Sequence, residues 1–182
     1  MKLFRKHLTP EQLGAAIYEH LRAHLASDDD LSIGALLREI GRLEESLPEQ
    51  HQGAIMIGTM FGAAMAIERS TSQWVSQRIT EGMHREFTSH LREQGASPDQ
   101  IRDWEKIVSE QNQQYRATIE GFDEDLEPPW KLGRLFLWNI IGDEEYIASQ
   151  IKSATMFLLA ARDAAQSLVN KYGPSLVIDI TL

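Results

Sequence analysis

The stretch from Gly53 to Ile67 reads GAIMIGTMFGAAMAI, and it decides the architecture of the chain. Small residues recur on it at every fourth position: Ala54, Gly58, Gly62 and Ala66. On an α-helix this spacing forms one stripe. Glycine inside a helix costs roughly 1 kcal/mol relative to alanine, so a sequence that keeps two of them is using the space they leave. The stripe therefore predicts a packing seam, with a helical bundle built around it.

The same stretch raises the question of a membrane span, because Gly58 and Gly62 have the spacing found at transmembrane helix contacts. As a helix, Gly53 to Ile67 would rise only about 22 Å, and a hydrocarbon core is roughly 30 Å thick. Polar residues at 49–52 and 68–70 flank it on both sides. We therefore expect a buried helix of a soluble protein and no membrane span.

Composition and charge exclude several classes of function. The 182 residues are 42% hydrophobic, enough for a folded core, and they include no cysteine. A disulfide framework, a thiolate nucleophile and a cysteine-based metal site are therefore excluded. A formal charge of −9 disfavours nucleic acid as a partner. Residues 1–8 lack the apolar core of a secretory signal, so the cytoplasm is the expected compartment.

Apolar periodicity predicts helices along most of the chain. Thr9 with Gln12 and Ser97 with Gln100 have the spacing of a capping box, and Gly95 is a helix stop. The predicted helices cover Pro10–Ser27, Leu31–Leu47, Pro48–Gln94 as one helix or two joined near Ser70, Pro98–Phe122, Trp130–Ile141 and Asp143–Lys171. The fold class is thus all-α: a single-domain bundle of six to seven helices over residues 1–173, followed by an extended β-like tail over 174–182.

The segment Trp130–Ile141 is apolar on nearly every side, with Trp130, Phe136 and Trp138 as its largest side chains. Three placements account for such a helix. It is buried centrally, it belongs to an oligomer interface, or it lies in a membrane surface with its two cations at the headgroups.

The tail has a different pattern. Leu176, Ile178, Ile180 and Leu182 alternate with other residues, which is the period of a strand. No other segment alternates as clearly, so we expect the tail to pair with another copy or another protein. The alternative is that it lies in a groove between the chain's own helices.

Candidate metal ligands are present but incomplete. Glu81 and His84 have the Glu-x-x-His spacing of di-iron bundles, but such sites need two copies and two further glutamates. His20 and His24 lie one helical turn apart, at the edge of an apolar face. A calcium-loop spacing, with Ile33 where the turn requires glycine, is formed by Asp28, Asp30, Ser32 and Glu39. We predict no metal, cofactor or catalytic site.

Motifs of nucleophilic or phosphate chemistry are also absent from the sequence. The leading hypothesis is a non-enzymatic helical protein that works by protein association, as a homo-oligomer or with a dedicated partner, through the seam, the tryptophan segment and the tail. One alternative is a bundle that binds a small apolar ligand or a metal near His84, in a pocket lined by Met56, Met60, Phe61 and Met65. Another is peripheral attachment to a membrane.

Overall fold

The computed structural model describes residues 8–25, 49–120, 130–142 and 146–173. These residues form six helices and no strand: α1 (Pro10–Leu25), α2 (Glu49–Ser70), α3 (Gln73–Glu93), α4 (Pro98–Glu120), α5 (Trp130–Ile141) and α6 (Ala148–Tyr172). The all-α prediction is confirmed for this part of the chain. The predicted helix Leu31–Leu47, the calcium-loop spacing and the strand-like tail lie outside the described residues.

Helix α2 is the centre of the bundle. It packs against each of the other described helices, most extensively against α6. Its apolar side chains enter both parts of the core, one with α1, α3, α4 and the C-terminal half of α6, and the other with α5, the N-terminal half of α6 and Tyr115 of α4. A helix that is apolar all round can be stable only when neighbours cover it on every side, and this is how the GAIMIGTMFGAAMAI stretch is placed.

The segment Pro48–Gln94 forms two helices, because helical structure stops between α2 and α3. Periodicity alone leaves open whether this segment is one helix or two. Ser70 and Thr71 donate their side-chain hydroxyls to the carbonyls of Ala66 and Ile67, at 2.6 and 2.8 Å. Ser72 is extended, with ψ of 154°, and α3 begins after it. Hydroxyl side chains that bond to the backbone compete with a continued helix, so the Ser-Thr-Ser sequence favours the end of α2 at this point.

The predicted capping boxes and the Gly95 stop are confirmed. Thr9 and Gln12 bond to each other's backbone N–H through their side-chain oxygens, at 3.0 and 3.2 Å, and Ser97 and Gln100 repeat the arrangement at 2.8 and 3.3 Å. Gly95 follows α3 with φ of +88°, a conformation that favours glycine. These three caps fix where α1, α3 and α4 begin or end. The predicted start of the last helix at Asp143, in contrast, is wrong: Ile147 is extended, with ψ of 157°, and α6 begins at Ala148.

Helices α1 and α3 make a backbone contact through two glycines. A Cβ built on Gly14 would collide with the carbonyl oxygen of Ile79, and one built on Gly82 would collide with that of Glu11. Arg78 and Glu11 add an ion pair at 3.0 Å beside this crossing. The absence of two side chains thus brings α1 directly onto the α3 backbone, in the most extensive contact between two helices of the described chain.

Candidate functional site

The small-residue stripe lies inside the molecule. Ala54, Gly58, Gly62 and Ala66 are all buried. A Cβ on Gly62 would lie 2.8 Å from the carbonyl oxygen of Leu158 on α6, and one on Gly58 would lie 2.5 Å from the ring of Phe136 on α5. The stripe thus serves close packing of the chain's own helices, as its spacing indicates.

Helix α5 divides its aromatic residues between two faces. Phe136 is fully buried and stacks on Phe157 of α6, with ring centroids 5.6 Å apart. Trp130 and Trp138 are 52% and 42% exposed, and Lys131 and Arg134 share their side of the helix. The segment is therefore amphipathic in the fold, with an outer face that combines indole rings and cations.

Large exposed apolar side chains are concentrated on α5 and α6. The described residues contain five of them, and four belong to this pair of helices, with Ile147 at the N-cap of α6: Trp130, Trp138, Ile147 and Met156. The fifth, Trp74 on α3, is 46% exposed and has the guanidinium of Arg78 over its ring at 5.5 Å. We call the four residues on the α5–α6 pair the outer surface.

The outer surface belongs to a part of the chain with almost no net charge. Residues 130–173 carry five Lys or Arg side chains against four Asp or Glu, a charge of +1, while the whole chain carries −9. Like charges repel less where their density is low. A second acidic molecule is therefore repelled less here than over residues 28–129, which carry −11.

A second feature is a cleft between α3 and α4, with α2 as its floor. Helices α3 and α4 are joined by a short turn and touch little beyond it. Near the turn, Trp104 of α4 meets the edge of Phe87 at 6.2 Å and fills the space over Gly53 of α2. Further along, Tyr115 of α4 stacks on Phe61 of α2, with centroids 4.8 Å apart. The contacts of Trp104 and Tyr115 with α2 hold α4 on that helix. Beyond the turn, the side of α4 that faces α3 stays open.

The cleft leads to a small chamber of about 30 Å³ on the surface of α2. Its apolar wall is formed by Ile57, Met60, Phe61, Ala64 and Val108, and its polar side by Thr80, His84, Asn112 and Arg116. Two outer lobes of about 610 and 660 Å³ open from it along the cleft, and His84 and Arg116 line both. Of the predicted pocket residues, the fold thus brings Met60 and Phe61 to His84, while Met65 lines a separate hollow of about 130 Å³.

Two groups at the cleft have shifted pKa values. Burial lowers the pKa of His84, which favours the neutral imidazole. Hydrogen bonds to Glu68 raise the pKa of Arg116, and this ion pair joins α4 to α2 at the mouth. Behind the cleft wall, burial also raises the pKa of the Tyr115 hydroxyl. The cleft therefore combines a neutral histidine with a mutually paired cation and anion.

The predicted metal candidates do not come together in the described residues, which contain no cluster of three or more His, Asp or Glu side chains close enough to hold an ion. Glu81 accepts a hydrogen bond from Gln77 at 3.1 Å and lies 3.8 Å from Arg78. Its carboxylate is thus engaged along its own helix. His20 is exposed on α1, and Glu19 beside it binds Arg22 at 2.7 Å.

Comparison with known proteins finds no family model that matches the chain, no similar curated protein and no similar solved structure. Within the residues that the structure describes, every helix is too short or too polar to cross a bilayer. Tail residues Leu176, Ile178, Ile180 and Leu182 lie outside that part of the chain, so their predicted pairing stays a prediction. The outer surface and the cleft are therefore the two features of the described fold that bear on function.

Proposed function

We propose that the chain is a non-enzymatic helical protein that works by association, and that its outer surface packs against a second copy. The observation that carries this proposal is the concentration of exposed Trp130, Trp138, Ile147 and Met156 on one pair of helices. Exposed apolar side chains gathered in one region are typical of interaction surfaces, and tryptophan and arginine are enriched among residues that dominate binding.

A stable interface needs more area than the two tryptophans present, so we expect the contact to cover the whole pair of helices. Two half-exposed tryptophans present roughly 200 Å² between them, and a stable interface takes about 800 Å² from each partner. The tryptophans would therefore form the centre of a larger contact. Ile147 and Met156, which are 63% and 44% exposed, extend the apolar area onto α6.

Charge favours a second copy at this place. The copies each carry −9 and repel, and over residues 130–173, at +1, they can approach with less repulsion than over residues 28–129, at −11. Cations on the outer face of α5 can also lie over indole rings of the other copy, a favourable arrangement for arginine and tryptophan. We therefore expect association to strengthen as salt screens the remaining repulsion.

Light scattering coupled to size exclusion tests the proposal. We expect the wild-type protein to have twice the monomer mass and the Trp130→Ser/Trp138→Ser variant to have the monomer mass, with unchanged helical circular dichroism. Trp74→Ser is the matched control, because Trp74 has similar exposure but lies on α3, and it should leave the mass unchanged. A monomeric wild type, or a double variant that keeps the dimer mass, would reject the proposal.

A further inference from the structure

Three polar side chains around the chamber have no hydrogen-bond partner in the described part of the chain. Thr80 and His84 come from α3 and Asn112 from α4, and each lines the chamber beside the apolar wall of α2. All three are partly buried. Partly buried polar groups that lack protein partners normally bind water or a ligand. Their convergence from two helices on one chamber is the arrangement found in small-molecule sites.

The charges at the chamber indicate what kind of polar group fits. Arg116 is the one cation that lines it, and the carboxylate of Glu68 already engages its guanidinium. Thr80, Asn112 and a neutral His84 are uncharged, and each can both donate and accept a hydrogen bond. A charged ligand would compete with Glu68 or enter without a counter-ion, and burial of an unpaired charge is costly. An uncharged polar group therefore matches these partners best.

The apolar wall of the chamber indicates the chemistry of the other end of the ligand. Met60, Phe61 and Ala64 of α2 and Val108 of α4 present only carbon and sulfur to it. Its volume of about 30 Å³ suits a methyl-bearing end, and the outer lobes leave space for the rest of the molecule. Methionine adapts its shape to such groups at little cost.

We propose that this chamber binds a small uncharged molecule with a short alkyl end and a polar head that both donates and accepts hydrogen bonds, as a primary amide does. The alkyl end lies against Met60 and Ala64, and the polar head exchanges hydrogen bonds with Thr80, His84 and Asn112. The site is formed by α2, α3 and α4, so it is independent of association through α5 and α6.

Three probes of nearly equal shape test the chemistry: isobutyramide, isobutyrate and isobutylammonium. Molecules with so few atoms bury little area in an open site, so we expect millimolar affinity and titrate over that range. Each is titrated into the full chain while NMR follows the methyl signal of Met60 and the imidazole signals of His84. We expect isobutyramide to shift both sets of signals in a saturable way, and the two charged probes to shift them little.

Variants then locate the binding. Thr80→Val keeps the shape of the side chain and removes its hydroxyl, so it should weaken isobutyramide binding roughly threefold to tenfold, the value of one hydrogen bond. Thr118→Val is the matched control, because Thr118 lies on α4 but does not line the chamber and its hydroxyl bonds to the Gln114 carbonyl, so this variant should bind as the wild type does. The proposal is overturned if isobutyramide causes no saturable shift, if a charged probe binds as well, or if Thr80→Val and Thr118→Val bind alike.

Discussion

The buried stripe of α2 and the outer surface of α5 and α6 are both rich in apolar residues, but they differ in what covers them. The stripe is made of small residues, and the helices of the same chain close over it until the backbone of α6 meets Gly62. The outer surface is made of large side chains, and about half of each tryptophan stays exposed. Small residues at helical spacing thus indicate packing within the fold, whereas large residues on an amphipathic helix leave area for another molecule.

Helix α5 contains both kinds of position, so two substitutions on one helix test the difference. Phe136→Ala removes a fully buried ring and should lower the free energy of unfolding by about 3 to 5 kcal/mol. Trp138→Ala removes a ring that is about half exposed and should cost the monomer less, about 1 to 2 kcal/mol. Urea unfolding at a concentration where the protein is monomeric measures both. Similar costs for the two would mean that α5 has no distinct inner and outer faces.

Substitutions at the two glycines where α1 crosses α3 should have the next largest effect on stability. Gly14→Ala and Gly82→Ala each place a methyl group against a backbone carbonyl that cannot turn aside, so each should destabilise by about 1 to 3 kcal/mol or more. Urea unfolding measures this effect as a lower midpoint, with an unchanged slope of the unfolding free energy against urea concentration.

Gly173→Ala is the control for these variants. Gly173 has helical φ and ψ, and an added Cβ would make only an ordinary contact, 3.6 Å from Val169. It should change the stability by less than about 1 kcal/mol, with stabilisation possible through reduced freedom of the unfolded chain. Wild-type stability in Gly14→Ala or Gly82→Ala would contradict the backbone contact of α1 with α3.

The pH dependence of stability that comes from His84 is the smallest expected effect. It tests whether this side chain of the cleft is buried in the folded protein. Burial lowers its pKa below that of the unfolded chain, about 6.5, so the unfolded state binds this proton more readily. The contribution of His84 to stability should therefore be complete above pH 6.5 and decline as the pH falls below it. In urea unfolding at pH 8 and pH 5, the wild type should lose more stability than His84→Gln. Equal losses would mean that His84 is fully solvated.

Local chemistry made much of the fold predictable. Two side chains three residues apart specify a capping box, and Gly95 supplies the positive φ that ends α3, so these features follow from short stretches of sequence. The central place of α2 follows from its composition. The break after Ser70 does not, because serine and threonine permit a bend without requiring one.

Features that join distant segments could not be predicted in the same way. Gly14 and Gly82 lie singly in separate helices, and nothing in either segment indicates that they meet. In the sequence, Thr80, Asn112 and Arg116 are ordinary polar residues of amphipathic helices. Only the packing of the helices brings them to one chamber. His84 did have a local signal, its spacing from Glu81, but that spacing suggested a metal, and the carboxylate of Glu81 lies with Gln77 and Arg78 instead.

The most direct test of the outer surface is photo-crosslinking between copies in solution. A benzophenone amino acid replaces Trp138 in one variant and Trp74 in another, since the two positions have nearly equal exposure. We predict a product of twice the monomer mass from position 138, with the crosslinked peptides mapping to residues 130–173, and none from position 74. A product of equal yield from both positions, or none from position 138, would contradict association through α5 and α6.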